Sequence, residues 1–309
     1  MAEQLQASPT VVSRRVGGQL ILLDAGSGRY FALDDTAADV WALFRTPTEI
    51  ATVIDTLSAR HGAARARIDR DARAWISEAV GLALLVPHDG QRAETRQEVP
   101  VQIGPHGLTV DGSIDAMRDL FRQQHFLKLP DLLEPRLLAM VEQLVSAGDF
   151  VDRAHDGIGT ELCLVPGIAT GVLQLLFNDQ ALRRLVATVA EVPDTGCFDG
   201  RVYRMSPRDG HYDSWHSDAG EDRLVAVSVN LSPAGYEGGE LEIRRASAAA
   251  AEWTVANHSF GSAVMFRISP AMRHRVVAVT GDRARTAYAG WYRGVPVFED
   301  LFLPTLRGA

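Results

Sequence analysis

The chain runs to 309 residues, 46% hydrophobic and 23% charged, with a formal net charge of -8, enough for two compact units of ordinary globular composition. Its apolar runs are broken by charge or glycine well short of the roughly 20 apolar residues a membrane span needs. The acidic balance argues against nucleic acid, whose binding draws on clustered positive charge. Residues 1–10 carry Glu3, Gln4, Gln6 and Ser8 in place of the basic start and apolar stretch of a secretory signal. A cytoplasmic protein is expected, with no nucleic acid and no membrane among its partners; a homodimer is left open. Cys163 and Cys197 lack the spacing of a zinc site and read as buried thiols.

Residues 11–33 alternate apolar runs with turn formers: Leu20-Ile21-Leu22-Leu23, then Asp24-Ala25-Gly26-Ser27-Gly28, then Arg29-Tyr30-Phe31-Ala32-Leu33, a β-hairpin pattern. Asp35 or Thr36 can cap a helix whose apolar face uses Ala37, Val40, Trp41 and Phe44, and Pro47 stands where it should stop. A second helix from Thr48 buries Ile50, Val53, Ile54 and Leu57 and ends at His61-Gly62. A third uses Ile68, Ala72, Trp75, Ile76 and Val80, and Leu84-Leu85-Val86-Pro87 closes a small winged-helix-like unit. Acidic residues such as Asp35, Asp39, Asp55, Asp69 and Asp71 stand among its arginines, so no basic face for DNA emerges.

The segment Leu22-Leu23-Asp24, Ser27-Gly28-Arg29-Tyr30-Phe31-Ala32-Leu33-Asp34, Ala37, Val40-Trp41 and Leu43-Phe44 resembles the family of the coenzyme PQQ synthesis protein D, over roughly residues 11–87. In that family the unit binds the leader of a ribosomally made precursor peptide. The resemblance implies that a leader would add as a strand against Arg29, Tyr30, Phe31, Ala32 and Leu33 and lie on the helix over residues 68–82. An exposed strand edge offers unpaired N–H and C=O groups to such a peptide. The plainer reading of Tyr30, Phe31, Trp41 and Trp75 is the core of a small domain.

Residues 87–105 lose periodicity and read as a linker. Helical patterns follow at 114–123, at 134–147 with Pro135 in the first turn, and at 171–189. Beyond Cys197 the period changes to strands at 200–205, 224–231, 239–244, 262–268, 276–280 and 284–292. Short strands separated by Gly, Pro and Asp turns favour a sandwich or jelly roll. The biased run over 246–251 reads as a helical turn or loop insert.

Trp215-His216-Ser217-Asp218 lies in this strand region, with Met272-Arg273-His274 downstream. In a His-x-Asp segment leaving a strand, the imidazole and the carboxylate point to one side. A second histidine from a distant strand completes a set of two imidazoles and one carboxylate with three positions open, the arrangement of non-haem Fe(II) oxygenases. His-x-Asp alone is a weak signal, since a turn histidine capped by Asp gives the same letters. The ordered set that follows is specific: Gly238-Gly239-Glu240-Leu241, His274, Arg285, then Gly290-Trp291-Tyr292-Arg293. It resembles the prolyl 4-hydroxylase-like branch of the 2-oxoglutarate/Fe(II) dioxygenases over roughly residues 115–297. The resemblance implies His216, Asp218 and His274 as metal ligands, Arg285 as the clamp for the distal carboxylate of 2-oxoglutarate, and Tyr203 as a cosubstrate contact. Arg283 competes with Arg285; alternation along 284–292 puts Arg285, Ala287 and Ala289 on one face and favours Arg285. His211 and His258 lack the spacing of ligands, and Trp215 is expected to pack beside the metal turn.

The expected protein is α+β, a winged-helix-like leader-recognition domain over 1–95 followed by a double-stranded β-helix, or jelly roll, with flanking helices over 96–309. It uses Fe(II), 2-oxoglutarate and O2 and hydroxylates a residue of a precursor peptide. The alternatives are an oxygenase acting on a free amino acid or other small molecule, and a non-catalytic peptide-binding protein.

Overall fold

The computed structural model describes residues 4–62, 64–88, 100–220 and 222–307, and the chain divides into compact units Met1–Gln97 and Glu98–Ala309. The expected boundary between residues 95 and 96 lies outside the described residues. The first unit opens with strands β1 (Gln4–Ala7), β2 (Val11–Val16), β3 (Gln19–Asp24) and β4 (Arg29–Leu33), then helix α1 (Asp35–Leu43). It continues through the two-residue strand β5 (Thr48–Glu49), helices α2 (Ile50–His61) and α3 (Arg65–Gly81), and β6 (Leu85–Pro87).

Two three-stranded sheets result, β2-β3-β4 and β5-β1-β6, with β4 at one edge of the first. The strand β1 falls in a stretch whose polar residues gave no strand signal. Helix α1 is capped one residue earlier than the expected Asp35 or Thr36: Asp34 is extended and its carboxylate accepts from the Ala37 N–H at 2.8 Å, a cap worth about 1 kcal/mol. Gly62 ends α2 in the left-handed conformation expected of a helix-terminating glycine. Trp41, Phe44, Val53, Ile54, Leu57 and Ile76 form the core with Leu20 and Leu22. Val80, expected on the apolar face of α3, is instead exposed.

The second unit begins with the hairpin β7 (Val101–Gly104) and β8 (Gly107–Val110), so the expected linker ends before the hairpin's first strand. Helix α4 (Ile114–Gln124), strand β9 (Phe126–Leu129), helix α5 (Pro135–Ser146) and the hairpin β10 (Phe150–His155) with β11 (Gly159–Leu164) follow. The single helix expected over 171–189 is two, α6 (Ile168–Phe177) and α7 (Gln180–Ala190). Asp179 interrupts it by turning its carboxylate back onto the Ala181 and Leu182 N–H groups as the cap of α7.

The remaining strands are β12 (Cys197–Met205), β13 (Tyr212–Asp213), β14 (Arg223–Asn230), β15 (Glu237–Gly238), β16 (Leu241–Arg245), β17 (Trp253–Val255), β18 (Ala263–Arg267), β19 (Met272–Val276), β20 (Val279–Thr280) and β21 (Arg285–Arg293), before a last helix, α8 (Phe298–Arg307). The strand expected over 276–280 is thus divided, and His274 lies within β19. The larger sheet has the order β10-β11-β12-β21-β14-β18-β9, with β13 beside β11. A smaller one, β17-β16-β19, faces it: Ala226, Val264 and Phe266 of the larger sheet form one core with Leu241, Ile243, Val255 and Met272 of the smaller. This curled antiparallel pair is a jelly roll.

Behind the larger sheet, Phe177 of α6 packs against Phe198 and Tyr288, and the Tyr292 hydroxyl donates to the Phe177 carbonyl at 3.1 Å. That aromatic layer fixes β12 and β21 against the helices, so their opposite faces are held rigid for the site. Cys197 is buried as expected, but Cys163 is only half-buried, and both are free thiols.

Candidate metal and cosubstrate site

Alternation along β12, β21 and β14 sends one set of side chains into a cavity of about 490 Å³ between the two sheets. His216 and His274 face each other across an isolated antiparallel bridge, their backbones exchanging hydrogen bonds of 3.1 and 3.0 Å. Their rings lie 4.3 Å apart between centroids. Asp218 follows His216 by two residues and reaches His274 Nε2 at 3.2 Å and His216 Nε2 at 3.8 Å. One ligand atom from each of the three lies within 4.8 Å of the others, the separation that a single cation can bridge.

The surrounding groups orient these atoms. His216 Nδ1 donates to the Ser214 carbonyl at 2.7 Å, with the Asp213 carboxylate 3.3 Å away, which turns Nε2 toward Asp218. Burial works against the imidazolium, but the hydrogen bond and charge of Asp213, the Ser214 carbonyl and the Asp218 charge outweigh it and push the His216 pKa up to about 9. Burial alone would raise Asp218; hydrogen bonds from His274 and Trp291 and the charges of both imidazoles hold it at about 2. These shifts describe a pocket in which protons stand where a dication would neutralise the same charges, and the donor set of two imidazoles and a carboxylate fits Fe(II). Trp291 Nε1 donates to Asp218 Oδ2 at 2.7 Å, and Arg223 stacks on that indole at 4.0 Å while approaching Asp218 Oδ1 at 3.5 Å.

Arg285 is buried at the start of β21 and lines the same cavity, whereas Arg283 is exposed outside it. The Arg285 guanidinium donates to Ser228 Oγ at 3.1 Å and to the Tyr236 phenol oxygen. Tyr236 in turn donates to the Asn257 carbonyl at 3.1 Å. Arg285 Nε is buried without a protein partner, which fits an arginine that receives a carboxylate from a ligand. Gly238 and Gly239 both adopt φ +73°, and a Cβ on Gly239 would stand 2.7 Å from Arg285 Cδ, so this turn leaves room for the arginine stem only as glycine. Tyr203 lines the cavity too, and burial, with the Glu161 charge, keeps its phenol protonated.

His211 and His258 stand outside the cluster: His211 Nδ1 accepts from the Ser206 N–H at 2.9 Å, and His258 Nε2 lies 3.0 Å from the Gly238 carbonyl. Trp215 packs under the Arg244 and Arg275 guanidinium groups. The sequence assigned no role to the supporting residues Asp213, Ser228 and Tyr236. A hydroxyl inside the apolar run of β14 was the available signal for Ser228.

A jelly roll that brings two imidazoles, a carboxylate and a buried arginine to one cavity has the architecture of a non-haem iron oxygenase. Family models give the particulars: the coenzyme PQQ synthesis protein D (PqqD) model matches residues 19–85, and the 2OG-Fe(II) oxygenase superfamily model matches residues 200–293. The chain therefore joins a PqqD peptide-binding domain to a 2OG-Fe(II) oxygenase domain and is a 2-oxoglutarate- and Fe(II)-dependent dioxygenase, with Fe(II), 2-oxoglutarate and O2 as metal and cosubstrates. No curated protein matches it.

Among solved structures it is similar to a 2OG-Fe(II) oxygenase family oxidoreductase from Burkholderia pseudomallei (18% identity, 60% of this chain and 93% of that one, TM-score 0.46). It is also similar to a Pseudomonas putida prolyl-4-hydroxylase (19%, 58% and 98%, TM-score 0.45). A third is TbiB1 in complex with the TbiA(beta) leader peptide (25%, 28% and 99%, TM-score 0.25). No helix among the described residues is long and apolar enough to cross a membrane.

Proposed function

We propose that His216, Asp218 and His274 hold the Fe(II), that Arg285 with Ser228 and Tyr236 clamps the distal carboxylate of 2-oxoglutarate, and that the enzyme hydroxylates a residue of a ribosomally made precursor peptide. The leader of that peptide adds as a strand along Arg29, Tyr30, Phe31, Ala32 and Leu33. The observation carrying this reading is the convergence of the three ligands and Arg285 on one cavity, in a chain whose other unit is a PqqD domain. There β4 pairs with β3 on one side and with no strand on the other among the described residues, leaving an edge of the kind that β-augmentation uses. Arg29 lies 5.0 Å over the Phe31 ring, which packs against the core of this unit.

Bound iron, with 2-oxoglutarate and O2, supplies the oxidation that replaces a substrate C–H by C–OH while 2-oxoglutarate becomes succinate and CO2. The chain's own residues position the parts. His216 and His274 present imidazole nitrogens, Trp291 and Arg223 fix the carboxylate of Asp218, and Arg285 sets the cosubstrate's orientation. Tyr203 and Ala289 shape the wall opposite, and the rest of the cavity is left for a side chain of the peptide. Leader capture converts entry of the core into an intramolecular event, with an effective concentration on the millimolar scale for a short linker.

Loading the full chain with Fe(II) and 2-oxoglutarate without air, then admitting air with a leader-bearing precursor peptide, tests this reading by mass spectrometry. The expected result is a peptide heavier by one oxygen atom and one succinate per oxygen inserted. Succinate formed over an unchanged peptide contradicts the assignment. The Trp291→Phe protein removes the indole donor to Asp218 and keeps the ring. It is expected to bind Mn(II), followed by its EPR signal, about 10–100-fold more weakly than the wild type; unchanged affinity removes Trp291 from the metal support.

A further inference from the structure

Arg153 and Arg201 line the metal cavity and have no part in the site described so far. Arg201 stands two residues from Tyr203 on the same face of β12 and lines the cavity where it opens to solvent, its own side chain exposed. Arg153 reaches in from β10, its guanidinium 6.0 Å over the Tyr203 ring. Other charges of this wall are matched: Arg293 pairs with Asp199 at 3.6 Å, and Glu161 with His155 at 3.1 Å. No carboxylate among the described residues lies within ion-pair distance of Arg153 or Arg201. Glu161 stands opposite Arg153 across the β10-β11 hairpin and offsets part of its charge, while Arg201 has no such neighbour across its strand pair; together the two guanidinium groups, in a chain of net charge -8, leave this wall a local field that draws in and orients an anionic group.

We infer that the substrate residue delivered to the metal carries a carboxylate, and that Arg201, supported by Arg153, is its specificity determinant. The inference rests on the peptide-oxygenase reading, in which Arg285 is occupied by the cosubstrate and Asp218 by the metal. An unmodified ribosomal peptide offers anions only as aspartate, glutamate or its C-terminal carboxylate. A planar guanidinium binds any of these with two parallel N–H donors, a geometry that lysine cannot reproduce. An amide side chain of the same shape forfeits the charge, so it gives up the charge-assisted part of its pairing with Arg201, which is exposed, and with Arg153, which is half-buried.

The test is ligand-observed saturation-transfer NMR on the full chain under argon, with 2-oxoglutarate saturating so that Arg285 is engaged. The probes are the N-acetyl N-methylamides of aspartate, glutamate, asparagine and glutamine. At least one acidic probe is expected to bind about tenfold or more tightly than its amide, equivalent to about 1.4 kcal/mol. Arg201→Gln should abolish that preference, Arg201→Lys should restore it only in part, and Arg283→Gln, at an exposed arginine outside the cavity, should leave it intact. Added Mn(II) should broaden the bound probe's side-chain protons.

Equal binding of acids and amides, binding by none of the probes, an unchanged preference in Arg201→Gln, or binding without Mn(II) broadening while Mn(II) is bound each overturns the inference. Failure of Mn(II) to bind, read separately by EPR, contradicts the metal assignment. The metal-free comparison of acid with amide and of Arg201→Gln with wild type then decides the inference by itself.

Discussion

Asp218→Ala is expected to abolish 2-oxoglutarate turnover, and His216→Ala and His274→Ala to do the same. Each removes one of three donors whose ligand atoms lie within 4.8 Å of one another, and among the described residues no other carboxylate or imidazole joins that cluster. Asp213, the nearest alternative, is engaged by His216 Nδ1 and by the Val276 N–H at 2.7 Å. The fold should survive the change at Asp218. What is lost is an acceptor for Trp291 and Arg223, a deficit of about 1–3 kcal/mol against a typical stability of about 5–15 kcal/mol. Asp218→Glu should also fail, because displacement of the carboxylate by about 1 Å is enough to cost roughly 100-fold. Succinate production and Mn(II) stoichiometry measured on the same preparations check the expectation. Turnover retained in all three alanine variants contradicts the metal assignment.

Arg285→Gln should raise the 2-oxoglutarate concentration needed for half-maximal turnover by about 30–5000-fold, the range expected when loss of one partner of a buried charge pair costs about 2–5 kcal/mol. Mn(II) binding should be nearly unchanged, since Arg285 reaches Ser228 and Tyr236 and not the triad. Arg283→Gln should behave as wild type because its side chain is exposed. If Arg283→Gln shows the loss and Arg285→Gln does not, the proposed clamp at Arg285 is wrong.

The convergence of His216, Asp218, His274 and Arg285 on one cavity was legible because alternation fixes which residues of a strand share a face, and because an ordered series of motifs is rarer than any one of them; their proposed roles rest on the tests above. The strand edge at Arg29, Tyr30, Phe31, Ala32 and Leu33 was legible from its turn chemistry: Gly28 has φ +73° where the hairpin reverses. What stayed hidden depends on tertiary partners. β1 has little apolar signal and is a strand because β5 and β6 pair with it. The break between α6 and α7 hangs on Asp179 choosing to cap instead of continue, a local competition that apolar periodicity runs straight through. Ser228 and Tyr236 would act through Arg285, far along the chain, where no spacing rule joins them; Asp213 lies only three residues before His216, but an Asp-His pair at that spacing in a turn carries no signal of its own.

The most direct measurement is a comparison, on the full chain, of the full precursor peptide with its leaderless core, following oxygen insertion by mass spectrometry across a range of peptide concentrations. If leader capture by the PqqD domain feeds the oxygenase, the full precursor should be half-converted at far lower concentration than the core, while the free leader, added in excess, should suppress the first reaction and leave the second untouched. Equal conversion of the two peptides at every concentration, with no effect of added leader, would contradict the account.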